Sequence, residues 1–147
     1  MQARLLKKRK MIKLLSNFLQ LPQNLLGLVI LLVNIKNFKK EEKYGIEFYS
    51  VKYLGNAGIS CGKRIIMDSD TFVKEIDLKH EKGHQIQSKY LCWLYLIIIG
   101  IPSLAGNIYH RTFHKKWSKI RKEKWYYNLL WEKQADKFGG VERTFNI

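Results

Sequence analysis

The chain has 147 residues, 27 basic and 12 acidic side chains, and a net charge of +15, a length that suits one domain. At 46% hydrophobic and 13% aromatic, it carries ample material for a core, which excludes disorder over most of its length. Two cysteines, Cys61 and Cys92, exclude a disulfide-stapled secreted mini-domain and the zinc fingers and ribbons that need close cysteine pairs. Both read as free, buried thiols of a reducing compartment.

The charge comes in blocks. Residues 1–43 carry ten basic and two acidic side chains, residues 44–109 seven and six, and residues 110–147 ten and four. Arg4, Lys7, Lys8, Arg9, Lys10 and Lys13 open the chain, after which residues 14–35 hold no ionisable side chain. A run of that length suits a bilayer core of roughly 30 Å, and the flanking basic residues favour anionic headgroups. The outline is that of a signal segment, yet Asn34-Ile35-Lys36-Asn37 offers no small-residue cleavage site. Residues 1–43 are therefore read as an uncleaved basic N-terminal membrane anchor with a polar connector over 36–43. Pro22 interrupts the anchor helix, because proline has no N–H to donate.

Residues 46–54 have the β-branched and aromatic content of a strand. Gly55, Gly58 and Gly62 punctuate a turn-rich stretch, and a short strand is expected over 63–67. Asp68-Ser69-Asp70-Thr71 is a helix-start signal, any of the four being able to cap, with Glu75 and Asp77 placed where the helix dipole favours acids. The helix should run over 72–90. Residues 90–109 are again free of ionisable side chains, as a membrane segment or a buried core helix would be, with Gly100 and Pro102 a natural place for a bend. Trp93, Tyr95, Tyr109, Trp117, Trp125 and Trp131 surround this run, as interfacial or core aromatics would. A second helix is expected over 119–138, stopped by Gly139-Gly140.

The first polar helix contains His80-Glu81-Lys82-Gly83-His84, an H-E-x-x-H motif. Histidines at i and i+4 share a helix face, so both rings reach one metal ion. Glu81 is placed to touch a metal-bound water and take its proton as hydroxide attacks a carbonyl. Gly83 costs the helix up to ~1 kcal/mol relative to alanine, but lets another backbone or a substrate approach closely. Catalytic zinc usually takes three protein ligands and a water. The third is sought in Glu132-Lys133-Gln134-Ala135-Asp136, where Glu132 and Asp136 share a face. One would ligate zinc while the other accepts a histidine ring N–H. Gln85 and Gln87 follow the motif and read as surface glutamines ahead of groups that cap or bond within the site.

HEKGH followed by WEKQAD resembles the gluzincin metallopeptidases, most of all the membrane-bound gluzincins that process prenylated or heat-stressed membrane proteins. The resemblance covers roughly residues 71–140. It implies His80, His84 and Glu132 as zinc ligands, Glu81 as general base and Asp136 as the group that orients a histidine. Its oxyanion-stabilising residue stays open among His110, His114, Tyr126 and Tyr127. In zincin-like domains a strand before the active-site helix pairs with extended substrate. Residues 63–67 would be that strand, or an ordinary structural one.

The expected fold is α+β: a minimal zincin-like domain over 44–147, with a small antiparallel sheet, an active-site helix, a glutamate helix and an apolar hairpin at 90–109. Ligands on both sides of that hairpin must converge, so the run dips into one leaflet, or packs against protein, and returns rather than crossing. The basic flanks put the site on the cytoplasmic face. The function expected is a membrane-associated zinc metallopeptidase acting on a peptide or protein substrate at the lipid surface. A non-enzymatic basic membrane protein with a structural or silent zinc site is the alternative. A nucleic-acid reading of the basic, tryptophan-containing residues 111–124 lacks a recognisable binding module and ranks last, so no nucleic-acid partner is expected.

Overall fold

A computed structural model describes residues 2–52, 54–55, 57–70 and 72–145. Two helices, α1 (Gln2–Leu19) and α2 (Leu21–Val33), open the fold and meet at Gln20 with a bend of 76°. Pro22 sits in the first turn of α2, where no helical partner awaits its missing N–H. Four strands follow: β1 (Lys39–Lys43), β2 (Ile46–Val51), β3 (Gly58–Cys61) and β4 (Arg64–Asp68).

The sheet order is β1-β2-β4-β3. β1 and β3 pair antiparallel with β2 and β4, but β2 and β4 run parallel. The sheet is thus mixed, correcting the antiparallel expectation. Its central place goes to β4, whose Ile65, Ile66 and Met67 are all buried and need cover on both faces. The shorter, smaller β3 takes the edge. β4 pairs with β3 over residues 64–67 and with β2 over residues 66–68, so neither of its sides offers a full free edge to a substrate strand.

β1 replaces the expected connector. Its sequence KKEEK has no apolar alternation, and its burial pattern is exposed nearly throughout, so side-chain patterning carries no sign of it. Backbone pairing to β2 and a 2.8 Å ion pair between Lys40 and Glu47 hold it. The turn places Tyr44 and Gly45 at φ 54° and 70°, the two left-handed positions of a tight two-residue hairpin.

One face of the sheet packs Phe48, Ile65 and Met67 against Val73 and Leu78. On the other, Val51 and Ile66 pack against Leu31 of α2. Helix α3 (Glu75–Leu91) therefore covers one face and α2 the other. α3 starts three residues later than expected, at Lys74 without a side-chain cap. Asp68 instead accepts the N–H of Asp70 at 2.9 Å, closing a turn; Thr71 lies outside the described residues.

After Leu91 the chain reverses by 118°. The reversal begins at Cys92, a non-glycine residue at φ 51°, and passes through a short 3-10 turn (Cys92–Leu94) and a π turn (Leu96–Gly100) into α4 (Ile101–Phe113). Gly100 and Pro102 thus sit in the returning leg, not in the bend. The expected 119–138 helix is two: α5 (Lys119–Tyr127) and α6 (Leu130–Gly139). Asn128 donates its side-chain amide to the Lys124 carbonyl, closing α5. Gly140 ends α6 in the left-handed conformation at φ 67°, the stop that the glycine pair announced. Among the described residues, no single helix is long and apolar enough to cross a membrane.

Candidate metal centre

α3 and α6 touch backbone to backbone. A Cβ added at Gly83 would lie 1.9 Å from the Ala135 carbonyl oxygen, and one at Gly139 would lie 2.0 Å from that of Lys79. Glycine at these two points, and the small, fully buried Ala135, let the helix axes come close enough for short side chains to converge. Three do. His80, His84 and Glu132 are buried, with one donor atom each inside a group whose members all lie within 4.8 Å of one another.

The outward ring nitrogens decide the chemistry. His80 Nδ1 lies 2.7 Å from Asp136 Oδ1, and His84 Nδ1 lies 2.7 Å from Gln87 Oε1. Asp136 is a carboxylate gripped by Arg143, whose Nε and Nη2 reach its two oxygens at 2.8 and 3.2 Å. The Gln87 amide nitrogen donates to the Trp131 carbonyl and the Gln134 side chain, so its oxygen is the end turned to His84. Both Nδ1 atoms must therefore donate, leaving a lone pair on each Nε2 when the rings are neutral. Those Nε2 atoms are 3.2 Å apart, and 3.1 and 3.2 Å from Glu132 Oε2. Three lone pairs aimed at one point need a cation or a proton between them. The residues fit a metal ion: two imidazole nitrogens and one carboxylate oxygen, with tautomers already set.

Electrostatics agree. In the metal-free site burial pulls the His80 pKa down, but Asp136 and Glu132 outweigh it and hold the imidazole up to about 9. Burial would raise the Glu132 carboxyl, yet hydrogen bonds from His80 and His84 keep it well below the usual carboxylate range. Its other oxygen accepts from Ser103 of α4, and burial together with this nearby carboxylate raises the Tyr126 phenol. Asp136 is likewise depressed by His80 and Arg143 against its own burial.

Glu81 stands apart from this ring of bonds. It is buried, no described residue hydrogen-bonds its Oε2, and burial raises its carboxyl pKa against the pull of His84 and His80. Its Oε1 faces Gly58 on the sheet-edge strand β3, where a Cβ would come within 2.9 Å. A buried carboxylate with an unpartnered oxygen is equipped to receive a proton.

Of the four residues left open for oxyanion stabilisation, Tyr126 and Tyr127 adjoin the centre. Tyr126 lies near enough to Glu132 for that carboxylate to raise its phenol, and Tyr127 lies edge-on to His80 at 5.2 Å beneath the Arg143 guanidinium. His114 packs among Tyr109, Trp117 and Trp125, and His110 lies against Trp125 and, at 5.5 Å, against Tyr126. Sequence reasoning missed Ser103 and Arg143, and ranked a surface place for Gln87 above the bonding role within the site that it holds. Gln87 and Gln85 are both buried rather than on the surface, and Gln87 occupies the turn after His84, the one available signal. Cys61 and Cys92 are free thiols, the first buried and the second half-buried.

No protein-family model, curated protein or solved structure matches the chain.

Proposed function

We propose that this protein is a membrane-associated zinc metallopeptidase that hydrolyses peptide bonds. The observation that carries the reading is the convergence of His80 Nε2, His84 Nε2 and Glu132 Oε2 beside Glu81, whose Oε2 no described residue occupies. Two nitrogens and one oxygen from protein is the donor set of catalytic rather than structural zinc. Zinc bound there supplies a Lewis acid that polarises the scissile carbonyl and acidifies water.

The chain's own groups do the rest. Glu81 takes the proton from the attacking water and delivers it to the leaving amide nitrogen as the C–N bond breaks. Asp136 and Gln87 keep both imidazoles in the ligating tautomer, and Ser103 steadies Glu132. The substrate is a peptide or protein held at the bilayer, with the site on the cytoplasmic face that the basic flanks prefer. A base-stacking role for Trp117 is disfavoured, since His114 stacks on it at 3.7 Å and Arg121 lies 4.3 Å from its centroid.

The test is Glu81→Gln, assayed for zinc by elemental analysis and for turnover on a quenched fluorescent peptide library. Retained zinc with lost turnover is expected. Equal turnover in the two proteins overturns the peptidase reading in favour of a structural or silent site.

A further inference from the structure

The two bends of the fold meet. Gln23 of α2 donates to Ser88 Oγ at 3.3 Å and to the Cys92 carbonyl at the reversal. Ser88 in turn donates to Gln20, the bend residue between α1 and α2, at 3.0 Å. On the outside Trp93 donates to the Phe18 carbonyl at 3.0 Å and packs on the Phe18 ring. Two elbows, built from segments of the chain some 70 residues apart, are thereby clamped into one unit.

Each elbow turns an aliphatic stripe away from the protein. α2 buries Gln23, Gly27 and Leu31 and exposes Leu21, Leu25, Leu28 and Leu32. The returning leg of the second elbow buries Ile99 and half-buries Ser103, Gly106 and His110, exposing Ile97, Ile101, Leu104 and Ile108. Both outward sets have i, i+4, i+7, i+11 spacing, one helix face each, and their members are 40–64% exposed. Water-soluble monomers seldom leave two such aliphatic stripes uncovered. α2 has 13 residues, about 20 Å of helix, which reaches well into one leaflet but falls short of a hydrocarbon core of roughly 30 Å.

The charges say what covers this surface. Exposed lysines flank both elbows along the chain: Lys10 and Lys13 before the first, Lys36 and Lys39 after it, Lys89 before the second, and Lys115 and Lys116 after it. Two copies joined through these faces would bring basic rims together. A surface of anionic headgroups is complementary to them. We infer that the clamped elbows seat in the headgroup and upper acyl region of an anionic leaflet, from one side only, as a monotopic insertion. The same leg of the second elbow carries Ser103 inward to Glu132, so the leaflet and the metal centre lie on opposite faces of one helix. Resting on the peptidase reading, this makes the substrate a peptide segment emerging at headgroup level.

The full chain, exchanged from detergent, is floated with phosphatidylcholine vesicles and with phosphatidylcholine–phosphatidylglycerol vesicles. Binding at least about tenfold tighter to the anionic vesicles is expected, weakening with salt. Leu25→Asp with Ile101→Asp should lower that binding at least about a hundredfold with an unchanged circular dichroism spectrum. If that variant does not fold, Lys115→Gln with Lys116→Gln carries the test by losing the anionic preference. Equal binding to both vesicle types, or flotation indifferent to the substitutions, overturns the inference. So does a vesicle-free dimer that the aspartates abolish, which would assign the face to a second copy. Zinc content of the same fractions separates the two proposals: zinc without flotation overturns the lipid inference alone, and flotation without zinc the peptidase reading alone.

Discussion

Gly83 and Ala135 touch main chain to main chain: a methyl group on Gly83 would sit 1.9 Å from the Ala135 carbonyl oxygen. Two effects of Gly83→Ala oppose each other. Helix propensity favours alanine by up to ~1 kcal/mol, while forcing α3 from α6 costs typically 1–3 kcal/mol and more against backbone. The clash wins. Net destabilisation of about 2 kcal/mol or more is expected by denaturant titration, with loss of bound zinc, because the histidines and Glu132 move apart. A stabilised variant would show that the helices do not pack this closely.

His84→Ala and Glu132→Ala should each abolish stoichiometric zinc. Gln87→Leu tests a subtler point. It leaves His84 Nδ1 buried without its acceptor, at a cost of about 1–3 kcal/mol, and frees the ring to adopt the wrong tautomer. Zinc affinity roughly 10–100-fold weaker is expected. Unchanged affinity by competition with a chelator would remove Gln87 from the centre.

Arg143 grips Asp136 at 2.8 and 3.2 Å and lies 3.4 Å above the Tyr127 ring. Arg143→Gln should weaken zinc binding by about tenfold through Asp136 and His80. Arg143→Lys should restore only part of it, because a lysine cannot reproduce the two-point contact. Full affinity in Arg143→Gln would limit Arg143 to packing the chain's end.

The pH dependence of metal binding follows from His80. Its imidazole holds a proton up to about 9 in the metal-free protein, whereas an unfolded histidine titrates near 6.5. A raised folded pKa stabilises fully below pH 6.5 and is lost as pH climbs through 9, roughly 3 kcal/mol in all. The metal-free fold should weaken over that window. Zinc must displace the same proton, so apparent affinity should rise about tenfold per pH unit from 6.5 towards 9. From the reference pKa alone the gain would be complete near pH 7. An affinity that levels off there, measured against a chelator of known pH dependence, would show an ordinary His80.

Local regularities are legible in the amino-acid sequence. The i, i+4 spacing puts His80 with His84, and Glu132 with Asp136, each on one face of a helix. Pro22 and Gly139-Gly140 break the chain where they stand, because proline and glycine act through their own backbone. β1 is not legible, since an exposed edge strand needs only main-chain hydrogen bonds and imposes no apolar alternation. The expectation of one continuous helix over 119–138 fails because propensity registers no side chain turning back, as Asn128 does, to close α5.

Which carboxylate faces which nitrogen is beyond the sequence. Spacing alone leaves Glu132 and Asp136 interchangeable; the structure sets Glu132 against both Nε2 atoms and Asp136 against His80 Nδ1 alone. That choice depends on the register of two helices distant in the chain, decided by contact at Gly83–Ala135 and Gly139–Lys79. The place of β4 at the sheet's centre has the same origin, since covering Ile65, Ile66 and Met67 on both faces is a property of the whole packing. Sequence by itself determined which side chains travel together on an element. Tertiary structure decided which elements meet and which atoms face one another, because a period is local to a helix or strand and a distance between two of them is not.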